Sequence, residues 1–423
     1  MSSENTPNHD LSEGHIESCQ ICGAKDLKFV IDLGHQAPCD TLLTSEQLNL
    51  EEKTYPLRVF WCEDCCLAQI DYVVPPEALF YAEYPYRSGI TPTLVKNLRG
   101  LSSVVEEKFG FKPPSLVIDI GSSDGTLLSG FKDAGFQVLG VEPTNIAKIA
   151  NAAGINTVQN FFNEEQAHEI VEKYGNASVV TASNVFAHIA RLGEMIRGVE
   201  HLLSENGLFV TESHYLLDIL ETVQYDSIYH EHLKFYSLKS LIRLFNYYDF
   251  TVVDVERIEN YGGSIRVFAA KGKSRPVSES VNSLLAEEER CGLYKFLKYE
   301  EFTERTIKAK HELQELSLQA FSQQKRFVGV GCPGRSSTLL NYCNMDKQLM
   351  PYIAEQSTSL KLGLHLPGKH IPIVDEKVMF EEQPEYAVML SWHYWEPIVK
   401  KLRDKGLKSK IVIPLPELKI LEP

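Results

Sequence analysis

The chain has 423 residues, of which 43% are hydrophobic and 10% aromatic, the usual composition of a globular protein of two or three domains. Its formal net charge of −15 disfavours nucleic acid as a partner, because phosphate neutralisation needs a basic face. No apolar run approaches membrane-spanning length and the N-terminus is polar, so we expect a cytoplasmic protein without a membrane span or signal peptide.

The N-terminal part of the chain is rich in cysteine. Residues 1–15 are polar and are expected to be disordered. Residues 16–75 are predicted to form a compact module with short strands and two Cys-x-x-Cys pairs. Four thiolates make the closed tetrahedral set that a structural Zn²⁺ prefers, although His35 and Cys39 are alternative ligands nearby. The predicted metal ligands are Cys19, Cys22, Cys62 and Cys65.

Residues 76–275 alternate between strand and helix. A loop rich in Pro and Tyr comes first, and a helix is predicted over Thr91–Phe109. The predicted strands are Leu116–Ile120, Gln137–Val141, Thr157–Gln159, Ser178–Ala182, Gly207–Glu212, Thr251–Arg257 and Ser264–Ala270. The helices between them are Thr126–Ala134, Ile146–Ala153, Glu164–Lys173 and Met195–Leu203. This alternation predicts a doubly wound, mostly parallel sheet that binds its ligand at the carboxyl ends of the strands.

The C-terminal part repeats this alternation on a smaller scale. Residues 276–325 are charged and are predicted to form a helical connector. Residues 326–423 then form a second, smaller Rossmann-like α/β domain. Its predicted strands are Arg326–Val330, Tyr352–Glu355, Ala387–Leu390 and Lys410–Ile413. A Gly/Pro loop and a helix are predicted after the first strand, and a second helix is predicted over Trp395–Lys405. The predicted fold class is therefore α/β, with a zinc module followed by two Rossmann-like domains.

The clearest motif is Val-Ile-Asp-Ile-Gly-Ser-Ser-Asp-Gly at residues 117–125. Gly121 and Gly125 permit a tight turn that approaches a ligand closely between a strand and a helix. The spacing Asp-x-Gly-x-x-x-Gly differs from the Gly-x-Gly-x-x-Gly of a pyrophosphate site. Acidic side chains at Asp119 and Asp124 suit the sulfonium and ammonium groups of S-adenosylmethionine and would repel a diphosphate.

Three further loops at the carboxyl ends of strands agree with this cofactor. Glu142 can accept both ribose hydroxyls, an amide and aromatic rings near residue 160 can hold adenine, and residues 184–188 lie over the reactive end. Together they predict a class I methyltransferase domain. The predicted cofactor-binding residues are Asp119, Gly121, Ser122, Asp124, Gly125, Glu142, Asn160, Phe161, Asn184 and His188.

The segment Tyr225–Ser237 packs five side chains that can transfer protons into a short stretch. They are Tyr225, Tyr229, His230, Glu231 and His232. Methylating a carbon requires a carbanion equivalent, and a proton beside a ketone is acidic enough for a side-chain base. An imidazole is poised near the working pH, and neighbouring donors can stabilise the enolate oxygen. The cluster therefore favours methyl transfer to carbon.

The chain resembles the sugar C-methyltransferase family, whose members methylate C3 of nucleotide-linked 4-keto-deoxy sugars. The resemblance spans nearly the whole sequence, and Tyr-His-Glu-His at residues 229–232 is its most specific piece. The other matching stretches are the two Cys-x-x-Cys pairs, residues 119–125, 184–188, 212–218, 260–266, 339–343 and 366–372. The resemblance implies S-adenosylmethionine and a structural Zn²⁺ as cofactors and a nucleoside-diphosphate sugar as substrate. The sequence leaves the oligomeric state open, and we expect a monomer.

The resemblance also implies roles for individual residues. His232 is the base, although the sequence alone does not decide between the two histidines of the motif. Tyr229, His230 and Glu231 shape the pocket around the ketone, and Tyr84 adds to the catalytic set. The implied substrate contacts are Tyr86, Arg87, Lys234 and Arg335.

The chain departs from the family pattern at two places. A glycine-rich turn at residues 329–338 can receive phosphate on its backbone N–H groups, but it carries Cys-Pro-Gly-Arg at residues 332–335 where the family commonly ends in Lys-Gly. Cys39-Asp40 stands where the family usually has a small residue and Asn. These departures leave the nucleotide and the sugar open. Two alternative functions are methyl transfer to an oxygen or a non-sugar ketone, and a zinc-bearing protein that binds nucleic acid.

Overall fold

The computed structural model of the protein describes residues 6–79, 89 and 92–423. Tyr84, Tyr86 and Arg87, which the sequence placed at the active site, lie outside the described residues. The expected disorder of residues 1–15 is wrong for residues 6–15, because their backbone groups bond to the folded part. Among the residues described, no helix has the length and apolarity that crossing a membrane requires.

The N-terminal module contains a small antiparallel sheet. Its strands and one helix are β1 (Gly14–His15), β2 (Leu27–Gln36), β3 (Tyr55–Cys62), β4 (Ala68–Ile70), β5 (Tyr72–Val73) and α1 (Pro76–Leu79), with a 3-10 turn at Gln47–Asn49. β2, β3 and β4 pair in sequence order, and β1 pairs with β5. The fourth strand of this sheet is Lys234–Phe235, which pairs with β4 from far along the chain. The module is therefore joined to the second domain by strand pairing.

A seven-stranded sheet forms the second domain. Its elements are α2 (Pro92–Phe109), β6 (Leu116–Ile120), α3 (Thr126–Asp133), β7 (Gln137–Val141), α4 (Ala147–Ala152), β8 (Thr157–Val158), α5 (Glu164–Tyr174), β9 (Ala177–Ser183), α6 (Leu192–Leu202), β10 (Leu203–His214), α7 (Leu216–Glu221), β11 (Lys234–Phe235), α8 (Leu238–Asn246), β12 (Phe250–Ile258) and β13 (Ser264–Lys271), with 3-10 turns at Tyr225–Ser227 and Asn260–Gly262. The strand order is β12-β13-β10-β9-β6-β7-β8, and only the pairings of β13 are antiparallel. Strands such as β6 are buried over almost their whole length because helices cover both faces.

The C-terminal part adds a helical connector and a six-stranded sheet. Its elements are α9 (Glu279–Arg290), α10 (Phe296–Ser322), β14 (Phe327–Val330), α11 (Arg335–Tyr342), β15 (Ile353–Glu355), β16 (Ile373–Asp375), α12 (Glu376–Glu382), β17 (Tyr386–Met389), α13 (Trp395–Asp404), β18 (Lys410–Ile413) and β19 (Lys419–Leu421), with a 3-10 turn at Trp392–Tyr394. The strand order is β16-β15-β14-β17-β18-β19. The connector is two helices rather than one, because Gly292 turns the chain with a φ of +77°. The predicted α/β fold class is confirmed.

All three parts of the molecule contact the segment Tyr225–Ser237. The carbonyl of Leu233 accepts from Gln20 of the N-terminal module at 3.0 Å. On the C-terminal side, the hydroxyl of Thr338 donates to the carbonyl of Ile228 at 2.9 Å. Because each part supplies a hydrogen bond, the segment is held where the three meet.

Candidate active site and metal centre

Four cysteine side chains converge in the N-terminal module. Their sulfur atoms all lie within 4.8 Å of one another, and the thiols are free rather than bridged. The Sγ atoms of Cys19 and Cys65 are 3.4 Å apart, as are those of Cys22 and Cys62. These separations are too long for a disulfide, which needs about 2.05 Å.

The thiol cluster has the dimensions of a zinc site. Zn–S bonds of about 2.3 Å in a tetrahedron place sulfur atoms about 3.8 Å apart, close to the separations found here. The backbone N–H groups of Ile21 and Cys22 also approach the sulfur of Cys19, at 3.5 Å each. Such donors favour thiolates. The four predicted ligands therefore fit a closed structural Zn²⁺ site, whereas Cys39 lies elsewhere, beside Glu231 and Asp40.

The predicted cofactor turn follows β6 and has the conformation that the glycines implied. Gly121 and Gly125 have φ values of +68° and +78°. A Cβ on Gly121 would lie 2.3 Å from Val185, so no side chain can be accommodated there. The turn therefore approaches the loop after β9 closely, which leaves the backbone at the carboxyl edge of the sheet open to a ligand.

Two buried carboxylates lie at the ends of β6 and β7. Asp119 accepts a hydrogen bond from the hydroxyl of Thr181 at 2.6 Å, and burial raises its pKa to about 7. Glu142 accepts from the N–H groups of Ser123 and Thr144 at 3.0 and 2.9 Å. A carboxylate whose pKa is raised by burial gains from a cationic ligand. The pair thus suits the positively charged S-adenosylmethionine.

The other predicted cofactor residues surround this edge to different degrees. Asp124 accepts from the N–H of Gly89 at 2.9 Å, and Asn184 has a φ of +57° in the loop after β9. The Oγ of Ser122 is buried and has no hydrogen bond among the described residues. Asn160 donates to a glutamine of α5, while Phe161 is 48% exposed. An exposed ring at this position is available to cover a planar ligand.

His232 lies at the centre of the site. Its Nδ1 is 2.6 Å from the carbonyl oxygen of Ser227, so Nδ1 must carry the proton that is donated. In the neutral ring the lone pair is then on Nε2. The structure therefore fixes the tautomer of His232 that can accept a proton through Nε2.

Four aromatic or imidazole rings surround His232. Ring centroids lie 4.0 Å away for Tyr229, 4.7 Å for His214 and 4.9 Å for His188. These three side chains keep part of their surface accessible although protein encloses them, as expected of residues that border a recess. Phe235 approaches from the other side at 6.2 Å. The predicted Tyr229, His188 and His232 are thus brought together.

The histidines of this cluster are held in the neutral form. Burial lowers the pKa of His188 to about 4, and burial with the charge of Arg335 lowers that of His214 to about 3. Burial, followed by the neighbouring His214 and His188, holds the pKa of His232 well below 6.5. A neutral imidazole with a free Nε2 is the form that a general base requires.

Two predicted residues of the same segment point away from His232. His230 donates from Nε2 to the carbonyl of Tyr55 in the N-terminal module at 3.3 Å. Lys234 is buried and donates to the carbonyl of Ile189 at 2.7 Å, and burial lowers its pKa to about 7. The chain turns at residues 230–231, and these hydrogen bonds hold His230 against the N-terminal module and Lys234 against the loop after β9.

Glu231, in the segment Tyr225–Ser237, contacts the N-terminal module. It accepts from the thiol of Cys39 at 3.6 Å. The adjacent Asp40 is 3.2 Å from Nζ of Lys361 in the C-terminal part. Both departures from the family pattern meet here, since a Cβ on Gly334 would lie 2.9 Å from Asp40.

The glycine-rich turn before α11 is bordered by carboxylates. The N–H of Cys332 donates to Glu355 at 2.8 Å, and Pro333 has no N–H to offer. Asp40, beside Gly334, is paired with Lys361, which also donates to the carbonyl of Cys332 at 2.8 Å. The turn therefore has few backbone N–H groups left for the predicted phosphate contact, and Lys361 is a cation beside it.

Several residues of the site have no separate signal in the sequence. His214 ends β10, and His393 lies in the 3-10 turn before α13, where burial and then Arg335 lower its pKa well below 6.5. Asp226 is buried and accepts from the indole of Trp392 at 2.7 Å. His214 could have been identified by its position at the carboxyl end of a central strand and by its place in the matching stretch 212–218.

Three descriptions of protein families match successive parts of the chain. Residues 19–80 match "Putative zinc binding domain", residues 96–255 match "Methyltransferase domain", and residues 259–416 match "C-methyltransferase C-terminal domain". The chain is also 33% identical to the C-methyltransferase NovU of Streptomyces niveus over 411 residues, which is 96% of this chain and 97% of that protein.

Solved methyltransferase structures resemble part of the chain. Magnesium protoporphyrin IX methyltransferase of Synechocystis, with bound S-adenosylhomocysteine, is 15% identical with a TM-score of 0.33, and the likeness covers 43% of this chain and 85% of that one. The 1,6-didemethyltoxoflavin-N1-methyltransferase of Burkholderia thailandensis is 18% identical with a TM-score of 0.33, over 42% of this chain and 78% of that one.

Proposed function

Since the chain belongs to the C-methyltransferase family, we propose that it methylates a carbon, C3, of a nucleotide-linked 4-keto-deoxy sugar. The enzyme class, an S-adenosylmethionine-dependent C-methyltransferase, agrees with the prediction from sequence. The single observation that carries the mechanism is the hydrogen bond from Nδ1 of His232 to the carbonyl of Ser227. It leaves Nε2 as an acceptor inside the recess.

His232 removes the proton from the carbon beside the ketone. The neutral rings of His188 and His214 around it exclude water and supply no competing charge near Nε2. The ring of Tyr229 packs on His232 and keeps its orientation. Positioning of this kind accounts for much of the barrier reduction in group transfer.

S-adenosylmethionine supplies the methyl group on a positively charged sulfur. Asp119, Glu142 and the turn around Gly121 would hold it at the carboxyl edge of the sheet. The same turn contacts Val185, three residues before His188. Because His188 lies 4.9 Å from His232, the cofactor edge and the base border one continuous site. That proximity supports direct transfer to a carbon activated by His232.

The sugar part of the proposal depends on the three-part enclosure of the site. A ketone alone would need only the recess around His232, whereas the N-terminal part adds Cys39 and Asp40 beside Glu231 and the C-terminal part adds Arg335. Extra walls suit a larger acceptor with several polar groups. The resemblance to sugar C-methyltransferases implies an acceptor of this kind, a nucleoside-diphosphate sugar.

The test is incubation of the zinc-loaded protein with S-adenosylmethionine and a panel of nucleoside-diphosphate 4-keto-6-deoxyhexoses, read by mass spectrometry. A mass gain of one methyl group on a panel member is expected. The same assay includes non-sugar ketones and the corresponding 4-hydroxy sugars. Methylation confined to a non-sugar ketone, or to the hydroxy sugars, would replace the proposal with one of the alternative acceptors.

A further inference from the structure

Arg335 of the C-terminal part is a buried cation at the reactive centre. It is the first residue of α11 and is only 5% exposed. Its charge acts on His214, His232 and His393, and it lowers the pKa of each. It also donates to the carbonyl of Tyr261, whose ring centroid lies 5.5 Å from that of His214, and His214 lies 4.7 Å from His232. It is therefore not directed to the outer surface of the glycine-rich turn.

The guanidinium is only loosely held by the residues described. Nη2 donates to the carbonyl of Tyr261 at 3.1 Å, and Nη1 approaches the amide oxygen of Gln224 at 3.5 Å. Nη1 lies 3.8 Å from Asp226, beyond hydrogen-bonding distance. An arginine has five N–H donors, so several remain without a partner in the described part of the chain.

The carboxylate nearest to Arg335 already accepts a hydrogen bond from another residue. Asp226 accepts from Trp392 through Oδ2, and its Oδ1 has no hydrogen bond among the described residues. The two buried charges form an ion pair at 3.8 Å that contains no hydrogen bond. A buried cation with unused N–H donors can donate them to an oxygen on which negative charge develops during a reaction.

We propose that Arg335 is a catalytic residue that stabilises the enolate. This inference rests on the proposed function. The proton leaves the carbon beside the ketone for Nε2 of His232, and the C–H electron pair forms the new C=C bond. The carbonyl π electrons move onto oxygen, and Arg335 donates hydrogen bonds to that oxygen from its free N–H groups. The oxygen then returns its electrons as the carbon forms its bond to the methyl group, and the C–S electron pair leaves with sulfur.

The competing role for Arg335 is a contact with phosphate. The turn offers such a phosphate few backbone donors, because the N–H of Cys332 already bonds to Glu355 and Pro333 has no N–H. The two roles differ in what they require of the ligand. An enolate contact needs the ketone, whereas a phosphate contact is made equally by a nucleoside diphosphate without any sugar.

The experiment compares Arg335→Gln with wild-type holoenzyme by deuterium wash-in beside the ketone, without S-adenosylmethionine. The probes are the 4-keto sugar nucleotide that the wild type exchanges and its matching nucleoside diphosphate. We expect exchange to fall about 100- to 1000-fold, as for loss of an oxyanion donor, with nucleoside-diphosphate affinity within about threefold of wild type. Arg403→Gln, which removes a guanidinium bonded to Leu407 in the same sheet domain, should exchange normally.

Two results would overturn the inference. One is unchanged exchange in Arg335→Gln, and the other is a matched loss of nucleoside-diphosphate affinity, which would assign Arg335 to phosphate. If Arg335→Gln no longer binds S-adenosylmethionine, deuterium exchange and nucleoside-diphosphate affinity are measured on Arg335→Lys instead. That variant keeps the positive charge but loses the planar fork of N–H donors. Failure of the wild type to exchange any panel member would instead count against the proposed function itself.

Discussion

Replacing His232 with Asn separates the two roles of its imidazole. The amide nitrogen of Asn can take the place of Nδ1 and donate to the carbonyl of Ser227, which now receives a 2.6 Å hydrogen bond. Asn has nothing at the position of Nε2 that can accept a proton. A positioned general base contributes about 100- to 10,000-fold, or about 2.7 to 5.5 kcal/mol. We therefore expect exchange and methyl transfer to fall by that factor while folding is preserved.

His232→Ala is the matched comparison. It removes the base and the donor together, so the buried carbonyl of Ser227 loses its partner at a cost of about 1–3 kcal/mol. Both variants should lose deuterium wash-in, but only the Ala variant should unfold at a lower denaturant concentration. Affinity for S-adenosylmethionine, measured by calorimetry, should stay near wild type in the Asn variant. Wash-in within tenfold of wild type in His232→Asn would refute the assignment of the base.

Three more predictions concern pH, metal and cofactor. Burial and the adjacent rings lower the pKa of His232, so its base form persists as the pH falls. The rate of deuterium wash-in should therefore stay level from pH 8 to below 6.5. A decrease in rate centred at or above pH 6.5 would contradict this. Cys22→Ser should lose zinc in elemental analysis and melt at a lower temperature, while Cys66→Ser, outside the cluster, should keep one zinc per chain. Gly121→Ala should weaken S-adenosylmethionine binding more than tenfold through its clash with Val185. Gly175→Ala, also at positive φ but in open space, should bind S-adenosylmethionine normally. Equal effects would mean that backbone strain alone is responsible.

Short-range patterns in the sequence predicted much of the fold. β6 and β7 have the predicted bounds, and the turn at Gly121 has the predicted positive φ, because apolar runs and glycines act locally. The thiol cluster could be predicted equally well, because two Cys-x-x-Cys pairs supply the four thiolates of one metal site. The break at Gly292 was missed because charged helical sequence continues on both sides of it.

The composition of the active site was harder to predict, because it depends on which side chains meet in space. His214 and Arg335 are separated by more than a hundred residues, and no spacing rule connects them. His230 and Lys234 share the segment of His232, yet His230 bonds to Tyr55 of the N-terminal module and Lys234 bonds to Ile189 in the loop after β9. Sequence shows that a residue is near the base along the chain, but the tertiary fold decides what its side chain contacts.

In the proposed reaction a carbon beside a ketone receives the methyl group. Carbon NMR of the product formed with S-adenosylmethionine labelled with carbon-13 in its methyl group tests this directly. The labelled methyl is expected to be bonded to C3 of the sugar and to couple to that ring carbon. A labelled methyl bonded to oxygen, with no coupling to a ring carbon, would contradict it.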